Sequence, residues 1–138
     1  MKRFLDTDTI SLMERGNDAV QRRLLEHEPS DVFITVITVY EQIDGRFKTI
    51  QSARTPQATA LAYQQLAQTF LYLRDLPIAD YSEAAVLRFD SLLKMKLNVG
   101  KNDLRIAAIA LEADGVVVTR NLRDFMRVPG LVCEDWAD

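Results

Sequence analysis

The sequence is poor in the residues that form covalent cross-links, zinc sites and nucleophilic triads. Its 138 residues include one cysteine, Cys133, and one histidine, His27. A single cysteine cannot form an internal disulfide, which is typical of proteins in a reducing cytosol. The two residues are too few for an ordinary zinc site, and a serine or cysteine triad would have only His27 as its base. We therefore expect a cytoplasmic protein whose chemistry does not depend on histidine.

Long apolar runs and linker-like tracts are also lacking. The apolar runs span only a few residues, and Asp6 brings an acid too early for a signal peptide. Five glycines and four prolines are scattered and form no linker, repeat or low-complexity tract. With 48% hydrophobic and 27% charged residues, the chain has the composition of a soluble domain. We expect one domain over residues 1–138 and no membrane contact.

The charge balance argues against a generally basic nucleic-acid binder. Lysine and arginine total 17 against 20 acids, a net charge of −3. Basic residues nevertheless surround two carboxylates: Lys94, Lys96, Lys101 and Arg105 lie around Asp103, and Arg120, Arg123 and Arg127 lie around Asp124. This pattern suits a site that holds metal with its acids and phosphate with its cations, and it equally suits a solvated helix surface.

Short strand patterns alternate with helical stretches along the chain. The strand patterns cover residues 3–5, 32–37, 76–78, 116–119 and 131–133. Helical patterns lie between them, with capping signals at Asn17 or Asp18, Thr38 to Glu41, Thr55 with Pro56, and Asp80 to Glu83, and a further helix over residues 103–113. This alternation predicts an α/β domain with a parallel central sheet flanked by helices on both faces.

Carboxylates follow the predicted strands. Asp6 directly follows the first strand, Glu41 follows the second, and Asp124 follows the strand at 116–119. The carboxyl ends of parallel strands meet at one edge of a sheet, and Asp103 can point there from the start of its helix. Acids gathered in this way repel each other unless a cation binds, and Mg²⁺ and Mn²⁺ prefer oxygen ligands. We expect these carboxylates to lie close enough to share an ion.

Each acid also fits a purely structural role. Asp6 can cap the first helix, and Glu41 can complete a capping box that starts at Thr38. Asp103 or its neighbour Asn102 can cap the helix that follows, and Asp124 can form an ordinary ion pair with a nearby arginine. No single acid decides between the two interpretations.

Four segments carry motifs in order along the chain: Phe4-Leu5-Asp6-Thr7-Asp8, Ile37-Thr38-Val39-Tyr40-Glu41 with Gly45, Asn102-Asp103-Leu104-Arg105-Ile106-Ala107-Ala108, and Val118-Thr119-Arg120-Asn121-Leu122-Arg123-Asp124-Phe125. The tail Val128-Pro129-Gly130-Leu131, with Glu134-Asp135-Trp136, completes the set. Together they resemble the PIN-domain ribonucleases, and in particular the VapC-type toxins of bacterial toxin–antitoxin pairs. The resemblance covers the whole chain.

The resemblance implies roles for the acids. Asp6, Glu41 and Asp103 match the three acidic metal-site positions of the family. Asp124 matches a fourth, more variable acid, for which Asn121 is the competing candidate. The implied activity is hydrolysis of RNA phosphodiester bonds with Mg²⁺ or Mn²⁺ as cofactor. All four carboxylates are therefore candidate catalytic residues and metal ligands.

Other residues are expected to support the site or to hold RNA. Thr7 and Thr119 resemble the hydroxyl residues that support the site in this family. Asp8 stands where these proteins usually carry asparagine, so its role is open. Phosphates beside the cleaved bond are expected to contact three basic residues, Lys101, Arg120 and Arg123.

The resemblance also implies protein partners. VapC-type toxins pair as homodimers and bind a VapB-type antitoxin across an apolar helical groove beside the active site. The candidate surface is an apolar stripe of Ala58, Leu61, Ala62, Leu66, Phe70 and Leu73, together with Ile43, Phe47 and Ile50. Ordinary core packing would explain the same pattern.

Two other functions fit part of the sequence. The segment Asp6-Thr7-Asp8-Thr9-Ile10 resembles the opening motif of haloacid-dehalogenase phosphatases, with Asp6 as nucleophile and Asp8 as acid/base. That family needs a later lysine, and no lysine follows Thr119. A non-catalytic PIN-like module would bind RNA or a protein without cleaving, and it would not need the full set of acids.

Overall fold

A parallel sheet of five strands forms the centre of the protein, in a computed structural model that describes residues 1–137. The strands are β1 (Arg3–Leu5), β2 (Val32–Thr35), β3 (Ile78–Ala79), β4 (Val116–Val118) and β5 (Val132–Glu134). The helices of the described residues are α1 (Thr7–Glu14), α2 (Asp18–Leu25), α3 (Val36–Ser52), α4 (Pro56–Leu73), α5 (Glu83–Lys94), α6 (Lys101–Glu112) and α7 (Leu122–Phe125), with a 3₁₀ turn at Pro29–Asp31.

The strand order places β1 at the middle of the sheet. The order is β3-β2-β1-β4-β5 and every neighbouring pair is parallel, so Phe4 lies opposite Phe33 on one side and Val117 on the other. The chain moves outward from β1 through β2 to β3, and then crosses back to β4 and β5. The order therefore reverses beside β1, and in such sheets ligands bind at this point, beyond the carboxyl ends of the strands.

Two hydrophobic clusters cover the two faces of the sheet, because successive strand residues point to opposite sides. Phe4 and Val117 pack on one face with apolar residues of α5, α6 and α7. Leu5 and Val118 pack on the other face with residues of α1, α2 and α4 and with Trp136. The predicted α/β class with helices on both faces is confirmed.

Trp136 closes the second cluster. Its side chain is 1% exposed, and its indole stacks on the His27 ring with centroids 5.0 Å apart. The indole N–H donates to Glu134 Oε1 at 3.0 Å, so its one polar atom is satisfied. The segment after β5 is therefore part of the core.

The start of α3 differs from the sequence prediction. The strand was expected to reach residue 37, but β2 ends at Thr35 and Val36 is already helical. Thr35 Oγ1 accepts from the Thr38 backbone N–H at 3.3 Å, so Thr35 is the cap. The predicted capping box from Thr38 to Glu41 is therefore wrong, which leaves the Glu41 side chain available for other contacts.

The other boundaries shift by one to three residues. The cap of α5 is Ser82 and not Asp80, and α6 starts at Lys101 after Gly100. Asp103 therefore lies in the first turn of α6 and does not cap it. The predicted caps Asn17 and Thr55 are confirmed by hydrogen bonds to the backbone N–H groups of Val20 and Ala58.

The apolar stripe on α4 is only partly core. Ala62, Thr69 and Leu73 are buried, whereas Leu61 and Phe70 are 53% and 51% exposed. Core packing therefore does not explain the whole stripe. Among the described residues, no helix is both long and apolar enough to cross a membrane.

Gly115 stands at a close approach of two segments. It follows the left-handed residue Asp114 (φ 52°) and donates to the Ala110 carbonyl at 2.8 Å, which ends α6. A Cβ at this position would lie 2.8 Å from the Lys2 carbonyl oxygen and 2.5 Å from the Phe4 ring. Because the Lys2 carbonyl oxygen belongs to the backbone, no change of rotamer can relieve this contact.

We expect Gly115→Ala to lower the free energy of unfolding by about 2 kcal/mol, since an added methyl group overpacks a tight site. The matched control is Gly45→Ala, where a Cβ meets nothing within 4 Å and alanine favours the helix by about 0.5–1 kcal/mol. Urea unfolding of both variants measures the difference. Equal stability of the two would contradict the proposed close approach.

Candidate active site

Asp6 lies at the carboxyl end of the central strand and is 7% exposed. Its Oδ1 accepts from the Thr9 backbone N–H at 2.9 Å, and its Oδ2 accepts from Thr119 Oγ1 at 2.6 Å. Burial raises the pKa of Asp6, although these hydrogen bonds act in the opposite direction. Asp6 thus caps α1, and the same carboxylate lies buried at the carboxyl end of the sheet, so the capping role does not exclude a second role there.

Glu41 reaches the same edge from α3. Its Oε1 accepts from Thr7 Oγ1 at 2.7 Å, and its Oε2 accepts from Asn102 Nδ2 at 3.4 Å. Asn102 is itself held by Arg105, whose guanidinium donates to Asn102 Oδ1 at 2.8 Å. The Glu41 carboxylate is therefore fixed between the first turn of α1 and the first turn of α6.

Asp103 lies at the electrostatic centre of the group. Its pKa rises from 3.8 to about 6, first because it is partly buried and then because of the negative charges of Asp6, Glu41 and Asp124. The side chain makes no hydrogen bond or ion pair with another residue of the described chain. Repulsion from the three neighbouring carboxylates thus adds to the effect of burial on Asp103.

Asn121 and Asp124, the two candidates for the fourth position of the site, lie side by side. Asn121 Nδ2 donates to Asp124 Oδ2 at 2.9 Å, and Arg127 pairs with Asp124 Oδ1 at 3.2 Å. The backbone N–H of Asn121 donates to Thr119 Oγ1 at 2.9 Å, which links this corner to the threonine that holds Asp6. The structure therefore joins Asn121 and Asp124 in one unit.

The oxygen ligands suit a hard divalent cation, but they are not yet gathered around a point. Within residues 1–137, no three potential ligand side chains are close enough to hold an ion as they stand. The expectation that the four acids already lie close enough to share one is therefore wrong. Asp6, Glu41 and Asp124 are each held by their own hydrogen bonds, and mutual repulsion opposes closer approach. Asp103, which has no side-chain partner within residues 1–137, and the carboxylates around it form a donor set that fits Mg²⁺ or Mn²⁺.

Asp8 and Arg120 form a bidentate ion pair at the rim. Arg120 Nε and a terminal nitrogen donate to the Asp8 oxygens at 2.6 and 3.0 Å. Asp8 is therefore engaged with a cation, which does not suit the free acid/base that a haloacid-dehalogenase site would require. Lys101 and Arg123 are exposed and form no ion pair within residues 1–137.

Asn102 is the site residue whose role the sequence did not reveal. It was considered only as a cap for α6, yet Gly100 occupies that position and the Asn102 side chain bridges Glu41 and Arg105. Its place next to Asp103, with an arginine one helical turn later, was the available signal.

We expect Asp103→Asn to raise stability at neutral pH in the absence of divalent metal. The folded state holds the Asp103 proton more tightly than the unfolded state, so this group destabilises the protein increasingly as pH rises from about 4 to about 6. Removing the charge should add about 1 kcal/mol at pH 7.5, well below the value implied by the full pKa shift, because the carboxylate is partly exposed and screened. Thermal melts in EDTA at pH 4 and 7.5 test this, and a gain that is equal at both pH values would contradict it.

Comparison with known proteins identifies the family. The sequence profile of the PIN domain matches residues 3–131. Ribonuclease VapC1 from Haemophilus influenzae (strain R2866) is 29% identical over 135 residues, which is 96% of each chain. The tRNA(fMet)-specific endonuclease VapC from Salmonella typhimurium is 30% identical over 140 residues, covering 99% of this chain and 98% of the relative.

Solved structures agree with the sequence comparison. The DNA-bound VapBC of Salmonella typhimurium superposes with a TM-score of 0.79 at 30% identity, covering 99% of this chain and 98% of that chain. The VapBC-1 of nontypeable Haemophilus influenzae gives a TM-score of 0.79 at 26% identity over the full length of both chains. The haloacid-dehalogenase alternative therefore falls away. The chain belongs to the PIN-domain family and, within it, to the VapC-type ribonucleases.

Proposed function

We propose that this protein is a metal-dependent endoribonuclease that acts as the toxin of a toxin–antitoxin pair. The observation that carries the proposal is the group of carboxylates Asp6, Glu41, Asp103 and Asp124 at the carboxyl end of the sheet, where burial and the neighbouring charges raise the pKa of Asp103 to about 6. A fold that concentrates negative charge in this way gains from binding a divalent cation. The relatives named as ribonucleases support RNA as the substrate.

Asp6, Glu41, Asp103 and Asp124 are the proposed catalytic residues, and they would hold Mg²⁺ or Mn²⁺. Bound there, the cation would supply an activated water for attack on phosphorus and stabilise charge on the departing oxygen. This chemistry requires no histidine base, in keeping with the scarcity of histidine in the sequence. A bound cation would offset the repulsion between these acids, which lie at the same end of the sheet.

The supporting residues fix the orientation of the ligands. Thr119 and the Thr9 backbone N–H together hold both oxygens of Asp6, and Thr7 holds Glu41 from the neighbouring helix. Such contacts keep a ligand in one rotamer and strengthen its affinity for metal. At the fourth corner, we assign Asp124 as the ligand and Asn121 as the residue that orients it.

The basic residues at the rim would hold the RNA backbone. Lys101 and Arg123 are exposed beside the acids, and they can contact phosphates without breaking an ion pair. The Asp8 carboxylate holds the Arg120 guanidinium, so this positively charged side chain has a fixed place near Asp6. Binding through these contacts should weaken as salt concentration rises.

The exposed apolar face of α3 and α4 is the proposed protein-binding surface. It comprises Phe47, Leu61 and Phe70, each about half exposed, and a cavity of about 280 Å³ lined by Val36, Val39, Tyr40, Ile43, Asp44 and Phe47. An apolar area of this kind commonly marks a site of protein association. We assign it to pairing with a second copy of the chain and to binding of a VapB-type antitoxin helix. The related structures from Salmonella typhimurium and Haemophilus influenzae are VapBC proteins.

We expect RNA cleavage that requires Mg²⁺ or Mn²⁺ and stops on addition of EDTA. Asp6→Asn and Asp103→Asn should each lower kcat by at least about a hundredfold, because each removes a ligand charge. Asp8→Asn should lose less activity, because Asp8 pairs with Arg120 and not with the acidic group. The RNAs assayed should include tRNA(fMet), since one relative is named as a tRNA(fMet)-specific endonuclease.

The matched control is Asp90→Asn, which removes an exposed carboxylate from α5, on an element outside the site. Asp103→Asn should combine a gain in stability with loss of cleavage, a combination that misfolding cannot produce. Full cleavage in EDTA, or by Asp103→Asn, would refute the proposed metal site.

We expect expression of the wild-type chain alone to arrest bacterial growth, and expression of Asp6→Asn to leave growth intact. Co-expression of the cognate VapB-type antitoxin should restore growth, and the antitoxin should co-purify with the chain. Leu61→Asp and Phe70→Asp should weaken that association, because a charge on the exposed apolar face disfavours burial. Normal growth with active wild-type enzyme present would contradict the toxin role and leave the nuclease activity standing.

A further inference from the structure

A polar groove leads away from the carboxylates between α1 and α3. Its inner part, about 240 Å³, is lined by Thr7, Glu41, Gln42, Gly45 and Arg46. Its outer part, about 460 Å³, is lined by Ser11, Glu14, Arg15, Gln42 and Arg46. Gln42 and Arg46 line both parts, so the two are adjacent, and together we call them the α1–α3 groove. It begins at Glu41, a proposed ligand of the active site.

Gly45 is unexplained by packing within the protein. It lies inside α3, where glycine costs about 0.5–1 kcal/mol relative to alanine. A Cβ at this position would meet no atom within 4 Å, and the backbone is helical, so neither crowding nor a special turn requires glycine. A side chain at residue 45 would instead fill the inner part of the α1–α3 groove, beside Glu41. The absence of a side chain leaves room for a ligand at the groove wall.

Arg46 is positioned in advance of any ligand. Its Nε donates to Thr69 Oγ1 at 2.9 Å, and Thr69 on α4 is only 2% exposed. The guanidinium forms no ion pair within residues 1–137, so its remaining N–H groups can contact an anion. An arginine fixed through one nitrogen loses little side-chain freedom when it binds a phosphate.

The rest of the groove is polar and carries a small excess of positive charge in its outer part. Arg15 and Arg46 line that part with one acid, Glu14. Arg15 Nε donates to the Ser11 carbonyl at 3.2 Å, and Gln42 Nε2 donates to Ser11 Oγ at 3.5 Å. Amide, hydroxyl and guanidinium groups are those that contact phosphate and ribose in RNA complexes.

We propose that the α1–α3 groove binds the RNA backbone on one side of the cleaved bond. Arg46 and Arg15 hold successive phosphates, Gln42 contacts a ribose hydroxyl, and Gly45 lets the sugar approach the backbone of α3. This assignment rests on the proposed ribonuclease function and extends it by locating the strand that leaves the acidic site. The polar lining disfavours an amphipathic peptide helix, which would need apolar anchor positions.

The first test removes one positive charge at a time. Arg15→Gln and Arg46→Gln should each raise KM for a single-stranded RNA about tenfold, the effect of losing one hydrogen bond to a charged group. RNA binding is then measured in the non-cleaving Asp103→Asn background. There, each substitution should make the plot of log binding constant against log salt concentration less steep, by about 0.7. Arg54→Gln, an exposed arginine just beyond α3, is the matched control and should change neither value. Arg46→Lys should restore the slope, which a purely structural role for Arg46 would not predict.

The second test fills the groove without removing charge. Gly45→Leu should keep or raise the melting temperature, because leucine favours a helix and the added side chain meets open space. It should raise KM for RNAs extended past the cleaved bond on one side and have a smaller effect on RNAs extended on the other side. Gln51→Leu, which places the same side chain at an exposed site on α3, is the control.

The outcomes separate this inference from the function on which it rests. If the wild-type chain cleaves no RNA, the proposed function fails and the groove assignment fails with it. If the wild-type chain cleaves RNA and the groove variants match their controls, only the groove assignment is overturned. If the variants bind RNA normally but lose the antitoxin, the groove binds a peptide and the assignment is again overturned.

Discussion

The buried carboxylate of Asp6 is the contact on which the site depends. It ends the central strand, caps α1 through the Thr9 backbone N–H, and accepts from Thr119 at the end of β4. A carboxylate that is 7% exposed remains tolerable only because both oxygens are hydrogen-bonded. The same bonds that satisfy Asp6 therefore fix the directions in which α1, with Thr7, and the segment after β4, with Asp124, leave the sheet.

The surrounding acids show a fold that gives up stability for function. Asp103 has no partner among the described residues and titrates near 6, because burial and three neighbouring charges disfavour its ionised form. Some acids outside the site are paired instead, as in the contacts of Glu134 with Arg3 and of Glu112 with Arg88. One unpaired carboxylate at the switch point of the sheet is the local inconsistency that characterises a functional site.

Sequence patterns predicted the elements better than their ends or their contacts. Short continuous apolar runs located the five strands of the described residues, since the strands of a parallel sheet are buried on both faces. Thr35 was missed as a cap because the β-branched run 32–37 continues past it, and only the 3.3 Å bond to the Thr38 N–H ends the strand. The Asp8–Arg120 pair joins residues 112 apart, and the α1–α3 groove depends on how two helices pack. Neither follows from spacing along the chain.

The hydrogen bond between Thr119 and Asp6 also makes the site depend on both ends of the chain. It joins residues 113 apart in the sequence, and β4 must be in place beside β1 before it can form. During synthesis, Asp6 and Glu41 emerge from the ribosome long before Thr119 and Asp124. The amino-terminal part of the chain therefore carries half of the acids without the threonine that orders them. The acidic site is therefore complete only when segments from both ends of the chain have folded against each other.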